Sequence, residues 1–385
     1  MIRRCAALCL LLVLAACAST PLPATEAGPW HDEAFAQPAQ PVRTDDVFAL
    51  SQEMRDWLRT SGAEAMRRKG PQKGLLDALY AADGLRLRYD TSHTRTAAQA
   101  FAARSGNCLS LVIMTAAFAR ELGLQVEFQS AYTDEVWSRS GDLVFRSGHV
   151  NVTLGRRLID IGHGRGGDRT LWTIDFLPPE EIKGLVTRPI DEADVLAMYL
   201  NNRAAELMAQ GATDEAYWWA REALRTQPAS PGARNTLGVV YLRRGLTHSA
   251  EALFRDVLAR EPRHTPALNN LALAVAHQGR DDEARQLRSR LAQLEPEPPY
   301  HYFDLGQAAL RSGDAAAARD YFAKEVARAG YSAEFHHWLG VAHYRLGDLE
   351  AARRQLQLAG SMSTTLQEQA LYAAKLAWIR QKSSP

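Results

Sequence analysis

Three hydrophobic patterns follow one another along the chain, and each predicts a different structure. An uninterrupted apolar run occupies residues 5–16. Between about residues 45 and 190, short apolar clusters at helical spacing mix with stretches in which apolar and polar residues alternate, as they do in strands. Beyond about residue 197 the helical spacing continues, and the same positions recur every 34 residues. The chain is therefore predicted to contain an α+β domain followed by an all-α repeat solenoid.

Residues 105–123 predict a buried helix that begins at Cys108. Asn107 can accept a hydrogen bond from a free backbone N–H of the first turn, and Gly123 is typical of the residue that follows a helix. The unpaired N–H groups and the positive dipole end of a helix N-terminus favour an anion. We therefore expect Cys108 to form a thiolate more readily than a free cysteine does.

Two later stretches predict strands that carry polar groups opposite their apolar faces. His149 lies on one such face, and Asp175 lies on another. A thiol, an imidazole and a carboxylate in this order are the groups that nucleophilic cysteine catalysis requires.

Residues of about 85–180 resemble the core of transglutaminase-like domains, a papain-related group. The matching motifs are Gly106-Asn107-Cys108, Gly148-His149-Val150-Asn151-Val152 and Trp172-Thr173-Ile174-Asp175-Phe176. The resemblance implies that Cys108 is a nucleophile, that His149 transfers its proton and that Asp175 orients the imidazole. It also implies that the backbone N–H of Cys108 binds an oxyanion. The chain departs from the family pattern at Asn151 and Ser110, where the family often has an aromatic and an acidic residue.

Asp160 is an alternative third member of this triad. A two-residue turn at Gly155-Arg156 would pair Asp160 across from Asn151, diagonal to His149. We favour Asp175 because the residues on both sides of it match the family better.

The N-terminus predicts a lipid anchor. Residues 1–16 have the layout of a secretory signal, and Leu14-Ala15-Ala16-Cys17 resembles the bacterial lipobox, in which the cysteine is lipidated. Ala18 suggests, by resemblance only, sorting to the outer membrane, where the chain would face the periplasm. Residues 17–44 are rich in proline and have no apolar period, so they predict a disordered tether before the α+β domain at 45–190.

Cysteine usage and charge narrow the function classes. Once the signal is removed and Cys17 is lipidated, Cys108 is the lone thiol in an oxidising compartment, where cysteines usually pair. A lone thiol there suggests a chemical role for Cys108. The alternative is that Cys108 serves as a small buried hydrophobic residue. The mature chain would carry 43 basic and 44 acidic residues, which gives no reason to expect a nucleic-acid partner. Without CxxC or HxxxH spacing, we expect neither a metal nor a cofactor.

The repeat region resembles the tetratricopeptide repeat, a helix-turn-helix unit of 34 residues. Five registers agree without a gap, as the glycines show: Gly211, Gly245, Gly279, Gly313 and Gly347. We therefore predict five repeats over residues 197–360, followed by a capping helix and tail at 361–385. Such stacks present a concave groove that binds a protein or peptide.

Six polar residues are candidates for lining that groove. They occupy two repeated registers, the amides Asn201, Asn235 and Asn269 and the guanidinium groups Arg243, Arg311 and Arg345. The amides could hold the backbone of an extended peptide, and the arginines could meet its carboxylates. The alternative is that they are ordinary solvated helix residues.

Two functions follow from these observations. In the first, the chain is a periplasmic thiol enzyme that hydrolyses an amide or transfers its acyl group to an amine, while the repeats recruit the protein substrate. In the second, the transglutaminase-like domain is inactive, and the repeats assemble a cell-envelope complex.

Overall fold

The computed structural model describes most of the chain. The described residues are 28–80, 84–85, 87–90, 93–132, 137–140, 143–146, 149–157, 171–176, 186–330, 332–363 and 366–383. The predicted signal, the lipobox with Cys17, and Asp160 lie outside them. Residues 28–36 belong to a separate N-terminal unit, and residues from Gln37 onward form the second unit described below.

The described part of the second unit begins with five helices. They are α1 (Gln52–Arg59), α2 (Ser61–Lys69), α3 (Pro71–Tyr80), α4 (Ala97–Ala103) and α5 (Cys108–Glu121). Helix α5 is the centre of the core because every residue from Leu109 to Ala119 is buried. Phe118 of this helix contacts the rings of Trp57 and Phe101, with centroids 5.2 and 5.8 Å away. A helix apolar on all sides is typical of a buried position, as the sequence predicts.

A four-stranded sheet covers α5. Its strands, in spatial order, are β7 (Trp172–Ile174), β6 (His149–Arg157), β3 (Leu124–Tyr132) and β8 (Val186–Ile190), and all neighbouring pairs are antiparallel. Two short parallel strands, β1 (Arg88–Tyr89) and β2 (Ser105–Gly106), precede α5. A separate antiparallel pair, β4 (Trp137–Ser140) and β5 (Leu143–Arg146), lies between β3 and β6 in the chain.

Helices from Glu192 onward form consecutive pairs. The helices are α6 (Glu192–Ala209), α7 (Thr213–Thr226), α8 (Pro231–Arg243), α9 (Thr247–Arg260), α10 (Thr265–His277), α11 (Asp281–Leu294), α12 (His301–Ser312), α13 (Ala315–Arg328), α14 (Ala333–Arg345), α15 (Leu349–Met362) and α16 (Leu366–Ser383). The first ten make five pairs, and α16 contacts α15 and ends the stack.

The recurrent small residues of the repeats have two distinct roles. At the turn inside each pair, Gly211 and its four equivalents have a φ of +77° to +86°, a conformation that glycine adopts without steric cost. Gly238 serves close packing instead, because a Cβ at that position would lie 2.5 Å from the ring of Phe254.

Among the described residues, no helix combines the length and apolarity needed to cross a lipid bilayer.

Candidate active site

Cys108 is the first residue of α5, and the first turn of that helix is tightly organised. The Asn107 side chain caps it, because its Oδ1 accepts hydrogen bonds from the Ser110 backbone N–H at 2.9 Å and from the Ser110 hydroxyl at 2.8 Å. Gly106 is also constrained, since a Cβ there would lie 2.7 Å from the Cβ of Ser110. Cys108 itself is partly exposed and is not in a disulfide.

The register of β6 and β7 brings Asp175 beside His149. Val152 pairs with Ile174, so Asp175, one residue beyond β7, lies across from Asn151 and diagonal to His149. The His149 Nε2 and Asp175 Oδ1 atoms are 2.6 Å apart, and both side chains are buried, with 2% and 7% of their surface exposed. The Asn151 amide donates a second hydrogen bond to Asp175 at 3.3 Å.

The His149 imidazole interacts with both Asp175 and Cys108. Burial alone would lower its pKa, but hydrogen bonds with Asp175 and then Cys108, together with the charges of both, outweigh burial and raise the pKa to about 9. Because Nε2 is directed at Asp175, Nδ1 is the nitrogen left for the thiol. The three groups therefore stand in the order that an ion pair between a thiolate and an imidazolium requires, with a carboxylate behind it.

The structure contradicts the turn on which the alternative role of Asp160 depends. Strand β6 continues through Gly155 and Arg156 to Arg157, which pairs with Leu124 of β3. The glycine lies inside the strand, where a Cβ would approach the Gln125 side chain to 3.0 Å. Asp160 therefore does not follow a two-residue turn, although its own position falls outside the described residues.

The polar face of β6 is more buried than the alternation predicts. His149 was expected opposite the core face, yet it and its neighbours on that face, Asn151 and Thr153, are each at most 3% exposed. A cavity of about 630 Å³ lies beside Asp175 on this side. Asn151 Oδ1 is buried and has no hydrogen-bond partner among the described residues. The cavity is lined by Leu76, Tyr80, Gln129, Asn151, Thr173, Ile174, Asp175, Phe176 and Thr187.

The asparagines of the repeated register differ in environment. Asn235 Oδ1 accepts a hydrogen bond from Asn270 of the next repeat at 3.1 Å, so its amide links two repeats. Asn201 is partly buried, and within the described part of the chain its Oδ1 has no hydrogen-bond partner. Asn269 is exposed. Equal spacing in the sequence therefore does not give equal contacts.

The three candidate arginines lie at the ends of helices. Arg243, Arg311 and Arg345 each belong to the last turn of the first helix of their pair. Arg243 also donates to the Met208 carbonyl at 3.2 Å, which joins α8 to the end of α6. The role of these arginines and of the three asparagines in binding a peptide stays a prediction.

Sequence reasoning missed the residues that support the site from a distance. Thr94 accepts from the Asn107 amide at 2.9 Å through its hydroxyl, and its backbone N–H donates to Glu206 of α6 at 2.7 Å. Thr94 and Glu206 are 112 positions apart. Hydrophobic periodicity carries no signal for such a contact, because it depends on how α6 packs against the α+β core.

Comparison with known proteins identifies the repeats. The family model for the tetratricopeptide repeat matches residues 235–298 and 303–360. This confirms the prediction of C-terminal tetratricopeptide repeats, a class of module that presents a protein-binding surface. The match does not include the α+β core, where the likeness to transglutaminase-like domains stays a prediction. No curated protein matches the chain.

Several solved structures of repeat proteins align with about half of the chain. TTC0263 of Thermus thermophilus, a thermophilic tetratricopeptide protein, is 20% identical over 47% of this chain and 99% of its own, with a TM-score of 0.30. YrrB, described as having an unusual peptide-binding site, is 20% identical over 47% of this chain and 92% of its own, with a TM-score of 0.25. PilF of Pseudomonas aeruginosa is 23% identical over 50% of this chain and 87% of its own, with a TM-score of 0.29.

Proposed function

We propose that this protein is a thiol enzyme of the transglutaminase-like kind, tethered to the outer membrane and facing the periplasm. The single observation that carries the proposal is the position of His149, whose buried imidazole is hydrogen-bonded to Asp175 and interacts with Cys108. A Cys-His-Asp arrangement at the N-terminus of a core helix, with a partly exposed thiol and a buried imidazole and carboxylate, has a direct use in acyl transfer.

In the proposed reaction, the Cys108 thiolate attacks the carbonyl carbon of an amide. The carbonyl π electrons move to oxygen, and the backbone N–H at the start of α5 stabilises the resulting oxyanion. The tetrahedral intermediate collapses as the C–N bond breaks, and the His149 imidazolium gives its proton to the leaving nitrogen. The product of this half-reaction is a thioester on Cys108 and a free amine or ammonia.

The second half-reaction returns the thiolate. The now neutral His149 removes a proton from water or from an incoming amine, whose oxygen or nitrogen attacks the thioester carbonyl. The C–S bond breaks, and the product is a carboxylic acid or a new amide. Asp175 keeps the imidazole oriented in both steps and stabilises its protonated form. Family resemblance leaves hydrolysis and transfer both open.

The repeats would bring a protein substrate to this site. Tetratricopeptide stacks expose an extended groove, and the candidate groove residues carry amide and guanidinium groups that suit a peptide backbone and its carboxylates. The lipid on Cys17 would hold the enzyme at the membrane surface. Radiolabelled fatty acid should enter the wild-type protein in cells but not the Cys17→Ser variant; equal labelling of both would overturn the anchor.

Turnover tests the enzyme proposal. The full chain in mild detergent is incubated with a mixture of glutamine-containing proteins and a fluorescent primary amine. Hydrolysis is measured as released ammonia or as new N-termini. Transfer is measured as fluorescence attached to protein. We expect product from the wild type and none from Cys108→Ala. Equal signals from the two proteins would overturn the enzyme proposal.

A scaffold is the second candidate, and the match of the repeats to a protein-binding family favours it. In that case the thiol is dispensable. Cells that carry the Cys108→Ala variant would then have the wild-type phenotype, whereas cells whose protein lacks residues 197–360 would not. A defect in Cys108→Ala cells, with the protein present at normal abundance, would refute the scaffold.

A further inference from the structure

A continuous set of hydrogen bonds joins the first repeat helix to the first turn of α5. It begins at Glu206, whose Oε1 accepts the backbone N–H of Thr94 at 2.7 Å. The Thr94 hydroxyl then accepts from the Asn107 amide at 2.9 Å, and the other end of that amide caps the N–H of Ser110 at 2.9 Å. Cys108 lies inside this turn, directly after the capping residue.

Thr94 is the critical link in this set. It is only 3% exposed, so its N–H cannot be satisfied by bulk water if the carboxylate is removed. Its neighbours have other anchors: the Arg95 N–H donates to the Ser110 hydroxyl at 2.8 Å, and the Arg95 side chain pairs with Asp90 at 2.8 Å. The loop would therefore remain attached without Glu206, while Thr94 would lose the partner of its backbone N–H, and the Asn107 Nδ2 would lose the fixed position of its acceptor.

The carboxylate of Glu206 is itself held by the repeat region. Its second oxygen pairs with Arg203 one turn earlier on α6. The Arg203 guanidinium lies 5.6 Å from the ring centroid of Trp219 on α7, and Tyr199 meets the same ring edge-on at 6.2 Å. The packing of the first helix pair thus fixes the direction in which Glu206 points.

We infer that Glu206 is a positioning residue for Cys108, so that the first repeat helix is part of the thiol site and not only a neighbouring domain. This inference depends on the proposed role of Cys108. By holding Thr94, Glu206 fixes the Asn107 cap and, through it, the orientation of the first N–H groups of α5. Those groups and His149 are what favour the thiolate. The α+β core and the repeats would therefore be one catalytic unit, although their sequence patterns separate them at about residue 190.

The test measures the alkylation rate of Cys108 by iodoacetamide in the full chain, resolved by digestion and mass spectrometry, between pH 5 and 9. In Glu206→Ala we expect the rate at pH 6 to fall about fivefold or more, the factor that corresponds to roughly 1 kcal/mol of lost capping. Glu206→Gln keeps an oxygen for the Thr94 N–H, so it should retain the wild-type profile. If Glu206 acted only through its ion pair with Arg203, Glu206→Gln could not form that pair and its alkylation rate would fall as well.

Two further variants complete the test. Glu222→Ala is the matched control, because it removes an equivalent carboxylate paired with Arg225 three residues along α7, and it should leave the rate unchanged. Thr94→Val removes the hydroxyl that accepts the hydrogen bond from the Asn107 amide but keeps the backbone N–H, so it should lower the alkylation rate as Glu206→Ala does. It therefore tests the inference even if Glu206→Ala folds poorly.

The outcomes separate this inference from the proposed function. A wild-type rate that rises only near pH 8.5, as for a free cysteine, would overturn the proposed function and the inference with it. A wild-type thiol that reacts well at pH 6, with Glu206→Ala and Thr94→Val reacting equally well, would overturn the inference alone. Loss of reactivity in Glu206→Gln as large as in Glu206→Ala would overturn it too.

Discussion

The hydrogen bond with Asp175 is the largest contribution that raises the pKa of His149, so replacing Asp175 with asparagine should lower that pKa. In the wild type, burial lowers the pKa of His149, but the hydrogen bonds and charges of Asp175 and Cys108 raise it to about 9. The Asp175→Asn variant keeps the burial and loses the charge 2.6 Å from Nε2. Burial then opposes only the contributions of Cys108, so we expect the pKa of His149 in the variant to fall well below that of the wild type.

This shift has a definite consequence for stability. A pKa that is higher in the folded protein than in the unfolded chain stabilises the fold fully below about pH 6.5, and that stabilisation is lost as the pH rises to about 9. The displacement from 6.5 to about 9 corresponds to a free energy of unfolding on the order of 3 kcal/mol. The stability advantage of the wild type over Asp175→Asn should therefore shrink between pH 6.5 and 9 by the part of this free energy that Asp175, and not Cys108, supplies.

Nuclear magnetic resonance of the histidine rings, from pH 5 to 10, measures the shift directly. The His149 signal is assigned by its absence in His149→Gln. His337 is an internal control, because burial, followed by the charge of Lys375, lowers its pKa to about 4, and it should stay neutral above pH 5.5 in both proteins. A wild-type His149 that titrates near pH 6.5, or a midpoint that Asp175→Asn does not move, would refute the reasoning.

Two further predictions concern the stability of the repeats. Gly238→Ala should lower the free energy of unfolding by about 1 to 3 kcal/mol, because the new Cβ would overlap the Phe254 ring. Gly232→Ala is the control and should be neutral or slightly stabilising, because its Cβ meets nothing within 4 Å. Equal urea midpoints for the two variants would contradict this prediction. Glu325→Ala should cost about 1 to 3 kcal/mol in the same urea titration, because the buried carboxylate accepts the Phe303 backbone N–H at 3.0 Å. An unchanged midpoint would argue against that role.

Local signals in the sequence predicted several parts of the site. The Asn107 cap follows from the preference of helix N-termini for a side-chain acceptor, and the Ser110 N–H is bound as expected. The 34-residue period predicted the helix pairs, because equivalent residues form the same local structure in each repeat. The structure adds that the five recurrent glycines have positive φ at the turns.

Other features depended on tertiary packing, and sequence patterns misjudged or missed them. Gly155-Arg156 reads as a turn, but β3 offers a partner as far as Arg157, and pairing with it continues the strand. His149 was expected on a non-core face, although the folded chain buries it. The contact between Glu206 and Thr94 joins two regions with different hydrophobic patterns, so neither pattern contains information about the other.

The pairing of Cys108 with His149 is the central claim, and the pH dependence of Cys108 reactivity in His149→Ala tests it most directly. Site-resolved alkylation of the full chain is followed from pH 5 to 10 for the wild type and for this variant. The account predicts a wild-type thiol that reacts well below pH 8.5, because the imidazolium persists up to about pH 9, and a variant that loses this low-pH reactivity. Identical profiles for the two proteins, each rising near pH 8.5, would contradict the claim.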